Sequence, residues 1–144
     1  MRESFADHLL AAEIQVIEPP WKMLLSNKAI LPILWELFPG HPNLLPSYRH
    51  ADKLGDSYVC KPVFGREGAN ITLHTAAGSR SNPGHYGDEG FIYQAYQALP
   101  RFGEYHAVIG AWVIGGEAAG IGIREDSNPI THNLSRFVPH FFVE

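Results

Sequence analysis

Stretches rich in apolar, β-branched and aromatic residues recur along the chain, and glycine or proline interrupts them. Residues 58–64 (YVCKPVF) have this composition, as do residues 106–114 (HAVIGAWVI) and 117–125 (EAAGIGIRE). Such segments predict β-strands. The Gly115-Gly116 pair between the last two suits a two-residue turn, so these two segments are expected to form a hairpin.

One segment has the spacing of an amphipathic helix. Ser26 can cap a helix that runs to about Leu37, and Pro39 with Gly40 ends it. Pro32 lies inside this helix, so we expect a kink or a tightened first turn there. The positions spaced for a buried stripe are Ile30, Leu31, Ile33, Leu34, Leu37 and Phe38.

The remaining segments are strand candidates and connections. Two further strands are predicted, at residues 13–17 (EIQVI) and residues 91–99 (FIYQAYQAL). Residues 1–12 form a lead-in to the first of them. Residues 39–57 form a proline-rich connection. Residues 75–90 concentrate Gly, Ser, Asn and Pro, so we expect them to be the most mobile loop. The apolar run at the C-terminus is expected to dock on the rest of the domain.

A strand, a glycine loop and a second strand follow one another from residue 58. Lys61 lies in the first strand between apolar neighbours, where its charge needs a partner. Gly65 and Gly68 leave the loop backbone free to approach an anion, and Arg66 offers a bidentate fork. We interpret this segment as a phosphate-covering loop. An ordinary hairpin, with Lys61 reaching solvent at a sheet edge, fits the spacing equally well.

Lys28 is a second candidate for a phosphate contact. It falls in the first turn of the predicted helix, where a lysine opposes the helix dipole unless an anion occupies the helix N-terminus. A solvated lysine is the alternative, and position alone favours it.

Composition and charge narrow the range of functions. The chain has 144 residues, 45% of them hydrophobic, which predicts a single folded domain over residues 1–144. A net charge of −4 argues against a nucleic acid or an anionic membrane as the principal partner. The apolar runs are too short for a membrane span, and Cys60 is the only cysteine, so we expect a cytoplasmic protein.

The titratable residues do not suggest a metal centre. The eight histidines show neither the i, i+4 helical pairing nor the cysteine partners of a metal site, so no metal ligands are predicted in this chain. Glu125 and Asp126 are neighbours in a predicted strand and point to opposite faces, which makes them a poor acid–base pair.

Three segments of the chain carry the motifs of a known family. They are EPPWKMLLSNKAILPILWELFP, YVCKPVFGREGANI and GAWVIGGEAAGIGIRED, of which SNKA and KPxxxREGAN are quite specific. From about Ile17 to Glu144 the chain resembles the C-terminal part of the glutathionylspermidine synthase family, and in particular its stand-alone acid–amine ligase type. The resemblance implies an α+β fold, mostly antiparallel β with few helices, that forms the nucleotide-binding lobe of a permuted ATP-grasp.

The resemblance also implies a role for each matching residue. Lys28 and Lys61 look like the two lysines that hold ATP phosphates, and Arg66 would stabilise charge on the transferred group. Arg124 matches an arginine near the substrate or phosphate end. The loop over the phosphates matches Gly65, Glu67, Gly68, Ala69 and Asn70, and the hinge that meets the adenine matches Gln94, Ala95, Tyr96 and Gln97.

The implied reaction uses ATP and Mg²⁺ to activate a small-molecule acid, whose acyl phosphate is then attacked by an amine. The metal ligands of the family match no residue here and are expected outside this chain. We therefore interpret the chain as the C-terminal portion of a longer protein, with Met1 as an internal methionine.

Two functions stay open at this point. The first is the ATP-binding portion of an acid–amine ligase, and the second is a non-catalytic module that binds a nucleotide or another phosphate ligand. In either case the isolated chain is expected to self-associate, because surfaces that would pack on the missing half are left exposed.

Overall fold

The computed structural model describes residues 7–8, 17 and 20–143, and the chain in these ranges forms two antiparallel β-sheets and two short α-helices. Apart from the isolated residues 7–8 and 17, the predicted lead-in (1–12) and the predicted strand 13–17 lie outside the described residues.

The larger sheet has five strands and is built around the predicted strand that contains Lys61. Its strands are β1 (Ser47–Tyr48), β2 (Tyr58–Pro62), β3 (Thr72–Thr75), β4 (Gly78–Ser81) and β5 (Phe91–Ala95). They lie in the order β1-β5-β2-β3-β4, and every pairing is antiparallel. The strand β2 is therefore central, with hydrogen-bonded neighbours on both sides.

The smaller sheet contains the predicted hairpin. Its strands are β6 (Arg101–Phe102), β7 (Tyr105–Ile114), β8 (Glu117–Asp126) and β9 (Arg136–Val138), in the order β6-β7-β8-β9. Ile114 pairs with Glu117, and Gly115 and Gly116 have φ of 60° and 91°. A primed two-residue turn needs positive φ at both positions, so the hairpin prediction is confirmed with its turn.

The helices are α1 (Met23–Ser26), which follows a 3₁₀ turn at Pro20–Lys22, and α2 (Ile30–Leu37). The predicted cap at Ser26 is wrong, since Ser26 ends α1. Asn27 Oδ1 instead accepts a hydrogen bond from the Ala29 N–H at 2.9 Å, just before α2 begins. The predicted end at Leu37 is confirmed. Within the described ranges, no helix is long and apolar enough to cross a membrane.

Pro32 needs no kink, and the other predicted outcome, a tightened first turn, is present: the Ile30 and Leu31 N–H groups donate to carbonyls three residues back, at 3.2 and 3.0 Å. Pro32 is the third residue of α2 and lies in the first turn, where backbone N–H groups have no acceptor within the helix. The predicted buried stripe is only partly correct, because Ile33, Leu37 and Phe38 are exposed. The exposed fraction of Leu37 is 64%.

Two segments predicted as connections contain regular structure. Residues 39–57 include β1 and a 3₁₀ turn at Ala51–Lys53, and residues 75–90 include β4. All four residues of β4 are exposed. An edge strand of this kind does not need an apolar face, so its composition resembles that of a loop.

The core is small and joins the two sheets. Its buried hydrophobic residues are Leu73 and Ile92 in the larger sheet, Ala107 in the smaller sheet, and Ile130 in the connection after β8. The strand β9 docks the C-terminal segment on β8, but Phe141 and Phe142 are both 84% exposed. The expected docking of the tail therefore holds only as far as β9.

Candidate functional site

Lys61 lies in the central strand β2 and is held by a chain of hydrogen bonds. Its ammonium donates to Gln94 Oε1 at 2.5 Å, and Gln94 Nε2 donates to the buried Ser47 Oγ at 3.0 Å. Burial, followed by repulsion from Lys28, lowers the pKa of Lys61. Because β2 has neighbours on both sides, the alternative that places Lys61 at a sheet edge is wrong.

Lys28 lies beside the loop that follows β2. Its backbone N–H donates to the Val63 carbonyl at 2.9 Å, and its ammonium donates to the Gly65 carbonyl at 2.8 Å. Burial also lowers the pKa of Lys28. Lys28 precedes α2 rather than standing in its first turn, and it is not a freely solvated side chain.

In the described part of the chain the two lysines have no acidic partner, since neither Lys28 nor Lys61 forms an ion pair with a carboxylate. They are close enough for the charge of Lys28 to lower the pKa of Lys61. Two like charges without a counterion favour an anion between or beside them.

The glycine loop between β2 and β3 has an unusual backbone. Gly68 has φ of 72°, and Glu67 and Asn70 adopt φ of 56° and 55° although both carry side chains. Non-glycine residues in the left-handed region are retained where their surroundings hold them, and such strain concentrates at ligand sites. A hydrogen bond helps to hold Asn70 in this conformation, since its Oδ1 accepts from the Tyr86 N–H at 3.0 Å.

The loop touches the chain that follows the smaller sheet. A Cβ added to Gly68 would overlap the carbonyl oxygen of Thr131, so only glycine fits this approach. Asn82 reinforces the contact, since its side chain donates to the Ile130 carbonyl at 3.4 Å and accepts from Asn128 Nδ2 at 3.3 Å. The loop therefore bridges the two sheets.

A cavity of about 240 Å³ lies between the sheets, and we call it the central cleft. Val59 and Leu73 of the larger sheet face Val108 of the smaller sheet across it, and Lys61 and Gly68 also line it. A neighbouring cavity of about 80 Å³ lies under the glycine loop and shares Gly68 and Ile71 with the cleft. The cleft thus combines apolar walls with Lys61, and Lys28 lines the smaller cavity next to it.

Most of the predicted loop and hinge residues lie at these cavities. The cavity under the loop is lined by Lys28, Gly65, Arg66, Glu67, Gly68 and Ala69, and the central cleft by Lys61, Tyr96 and Gln97. Gln94 does not line the cleft and instead holds Lys61. The Ala95 N–H donates to the Pro46 carbonyl at 2.8 Å, which joins β5 to the start of β1.

The two predicted catalytic arginines are placed differently. Arg66 lines the cavity under the loop together with Lys28, and its side chain is exposed. Arg124 pairs with Val108 across β7 and β8, so the two side chains share a face of the smaller sheet. The guanidinium of Arg124 lies over the Phe137 ring at 5.9 Å from its centroid, and Arg124 lines neither cavity.

Asp126 anchors the connection that meets the loop. Its carboxylate accepts hydrogen bonds from Ser135 Oγ at 2.5 Å and from the Asn128 N–H at 2.8 Å, and His132 Nε2 lies 3.2 Å from it. Burial would raise the pKa of Asp126, but these hydrogen bonds and the nearby histidines lower it overall. These contacts therefore fix the position of the connection after β8, next to the central cleft.

Sequence reasoning missed Ser47, Thr131 and Asp126. Ser47 meets Gln94, which is distant in sequence, and Thr131 acts through its carbonyl, so residue type and spacing carried no signal for these two. Asp126 accepts from the N–H two residues on, a spacing typical of an Asx turn, which is the signal that could have found it. The alternation of side chains along a strand places Ile92 and Gln94 on one face, and the structure buries both of them.

The residues that line the cleft and the cavity under the loop fit the nucleotide that the resemblance implies, but not its Mg²⁺. The apolar walls of the cleft suit a planar ring, and the lysines suit phosphate oxygens. For Mg²⁺ the residues do not fit, since no group of three or more His, Cys, Asp or Glu side chains converges in the described ranges.

Two antiparallel sheets with few helices and a lysine-lined cleft between them place this protein in the α+β class related to ATP-grasp. The chain matches, over residues 1–143, the family described as glutathionylspermidine synthase preATP-grasp. It belongs to the glutathionylspermidine synthase family, as its motifs predicted.

Several relatives are similar over nearly the whole chain. A Haemophilus influenzae protein named "putative acid–amine ligase" is 44% identical over 96% of this chain. Trypanothione synthetase of Crithidia fasciculata is 40% identical over 83%, and the bifunctional glutathionylspermidine synthetase/amidase of Escherichia coli is 34% identical over 96%. The matches cover 38%, 19% and 23% of those proteins, so this chain spans less than half of each.

Proposed function

We propose that this chain is the ATP-binding portion of an acid–amine ligase that works through an acyl phosphate. The observation that carries the proposal is Lys61, a half-buried cation in the central strand whose partner, among the residues that the structure describes, is a glutamine and not a carboxylate. Burying an ammonium is costly unless another group compensates its charge. A phosphate held next to Lys61 and Lys28 would supply that compensation. The ligase names of three relatives support the same reaction class.

Each residue has a task in this proposal. Bound ATP supplies the phosphoryl group that makes the carboxylate of the acid reactive. Lys61 and Lys28 hold phosphate oxygens, and the glycine loop covers them and excludes water. Arg66 offsets the charge on the transferred group. Val59 and Val108 enclose the base from the two sheets, and the hinge at Tyr96 and Gln97 meets its edge.

The proposed chemistry has two steps. A carboxylate oxygen of the acid takes the phosphoryl group, and ADP leaves. The amine then attacks the carbonyl carbon, phosphate leaves, and the nitrogen loses a proton. In this proposal the central cleft and the cavity under the glycine loop hold only the nucleotide, and the acid and the amine bind outside these two cavities.

The test is ATP binding by Lys61→Ala, measured by titration calorimetry. Loss of a desolvated, charge-assisted contact should weaken binding by about 2 kcal/mol, or roughly 30-fold. Lys53→Ala is the matched control, because Lys53 is an exposed lysine outside both cavities. Equal ATP affinity in Lys61→Ala and the original chain would overturn the assignment.

A further inference from the structure

A second and larger cavity lies next to the central cleft. Its volume is about 410 Å³, and it is bounded by β3, β4 and the start of the smaller sheet. Leu73, Tyr96 and Pro129 line both cavities and form the wall between them. Lys28, Lys61 and the glycine loop do not line it. We call it the arginine cavity.

The arginine cavity takes its name from two guanidinium groups. Arg80 comes from β4 and makes no hydrogen bond or ion pair with any residue that the structure describes. Arg101 comes from β6, and its Nε donates to the Gly103 carbonyl at 2.9 Å, which fixes the side chain. The terminal nitrogens of Arg101 have no partner within the described ranges.

His106 adds a third polar group, and it is incompletely satisfied. Its Nδ1 is enclosed and has no hydrogen-bond partner in the described part of the chain, although the residue lines the cavity. Its ladder neighbour Asp126 is already engaged by Ser135 and Asn128. An unsatisfied buried nitrogen is costly. Rotating the imidazole ring by 180° exchanges the positions of Nδ1 and a ring carbon. In that orientation an acceptor in the cavity would satisfy Nδ1.

The charged side chains that line the cavity are of one sign, and Asp126, which lies opposite His106 in the ladder, does not line the cavity. The lining contains two arginines and a histidine but no Asp or Glu, in a chain whose net charge is −4. Thr75 and Ser79 also line it and contribute hydroxyl groups. Planar guanidinium groups bind carboxylate and phosphate oxygens in pairs.

We propose that the arginine cavity is a second anion site, which binds a small oxyanion, a carboxylate or a phosphate, through Arg80, Arg101 and His106. This inference does not rest on the proposed ATP site, because the wall formed by Leu73 and Tyr96 separates the two sets of cationic residues.

The experiment is a titration of the ¹⁵N-labelled chain with inorganic phosphate and, separately, with acetate, at constant ionic strength. Amide signals of residues 75–80 and 101–106 should shift in at least one titration. The double variant Arg80→Gln/Arg101→Gln should lose this binding by about tenfold or more. The tighter of the two titrations identifies the class of anion.

Arg49→Gln is the matched control, because Arg49 is an exposed arginine that lines neither the arginine cavity nor the central cleft. It should bind like the original chain. Shifts at residues 65–70 report the proposed ATP site and are expected to persist in the double variant. Shifts confined to that loop, or equal affinity in the double variant, would overturn the second anion site and leave the ATP proposal intact. His106→Gln, which keeps a polar side chain, should weaken binding less than the double variant.

Discussion

At the scale of single residues, Lys61 is the most informative side chain in the molecule. It is cationic and half-buried in the central strand, and its pKa is lowered by burial and by Lys28. The Gln94 and Ser47 side chains orient it but do not neutralise it. A sheet built only for stability would favour an apolar residue at this position. The lysine is therefore best explained by a ligand that brings negative charge.

The lowered pKa of Lys61 predicts proton uptake on nucleotide binding. In the free protein, Lys61 loses its proton at a lower pH than an ordinary lysine, whereas bound phosphate favours the protonated form and raises the pKa again. ATP affinity should therefore be highest below the lowered pKa and should fall as pH rises through it. Calorimetry in two buffers with different ionisation enthalpies measures the protons taken up.

Lys61→Arg provides the control for this pH dependence. Arginine stays protonated throughout the range, so uptake at this site should disappear and the affinity profile should flatten, except for the part due to Lys28, whose pKa is also lowered. If the original chain binds ATP without net proton uptake across the alkaline range, Lys61 is not the phosphate contact.

At the scale of elements, the glycine loop and the connection after β8 act together. The loop comes from the larger sheet and the connection from the smaller one, and they meet where Gly68 passes the Thr131 carbonyl. The hydrogen bonds to Asp126 hold the connection in place. Closure of the loop over the cleft therefore depends on a contact between two elements that are far apart in sequence.

Gly68→Ala should disturb this contact, and Gly40→Ala should not. The two glycines have similar φ, 72° and 77°, so both variants should lose about 1 kcal/mol of unfolding free energy through backbone strain. Only Gly68→Ala must also move the loop away from Thr131, because nothing lies near the Cβ position of Gly40. We expect its ATP affinity to fall by about tenfold. Urea unfolding and calorimetry measure the two effects, and equal ATP affinity in the two variants would contradict the role of the contact.

At the scale of the whole molecule, the outer part of the β7–β8 hairpin is apolar on both faces. Ile109, Trp112, Val113 and Ile114 are each more than 60% exposed, and adjacent strand residues point to opposite faces. Two strands alone are marginally stable in water. An exposed surface of this kind normally packs on another protein surface.

We predict that the isolated 144-residue chain self-associates through this hairpin and does not turn over ATP. Light scattering should show dimers or larger species, and Trp112→Ser/Ile114→Ser should reduce association. Trp21→Ser is the control, since Trp21 is 60% exposed but lies near α1. Phosphate release with ATP, acid and amine should stay at background, because the residues do not include a Mg²⁺ ligand set within the described ranges. A monomer that couples acid and amine unaided would contradict both expectations.

The sequence by itself determined the features that depend on local chemistry. The Gly115-Gly116 turn and its strands follow from the positive φ that only such a pair accepts readily, and α2 ends where Pro39 and Gly40 prevent its continuation. The glycine loop after β2 was also predictable, because two closely spaced glycines disfavour a continuing strand and allow the positive φ that Gly68 adopts. Motifs in these same local segments were enough to predict the family.

Only the tertiary structure decided which distant residues meet. Gln94 reaches Lys61 because β5 pairs with β2, and Ser47 joins them because β1 pairs with β5. The strand β4 was taken for a loop because an exposed edge strand needs no apolar pattern. Arg124 lies against Phe137 rather than in the cleft because β9 pairs with β8. Contacts of this kind depend on strand order and register, which the pattern of a single segment does not specify.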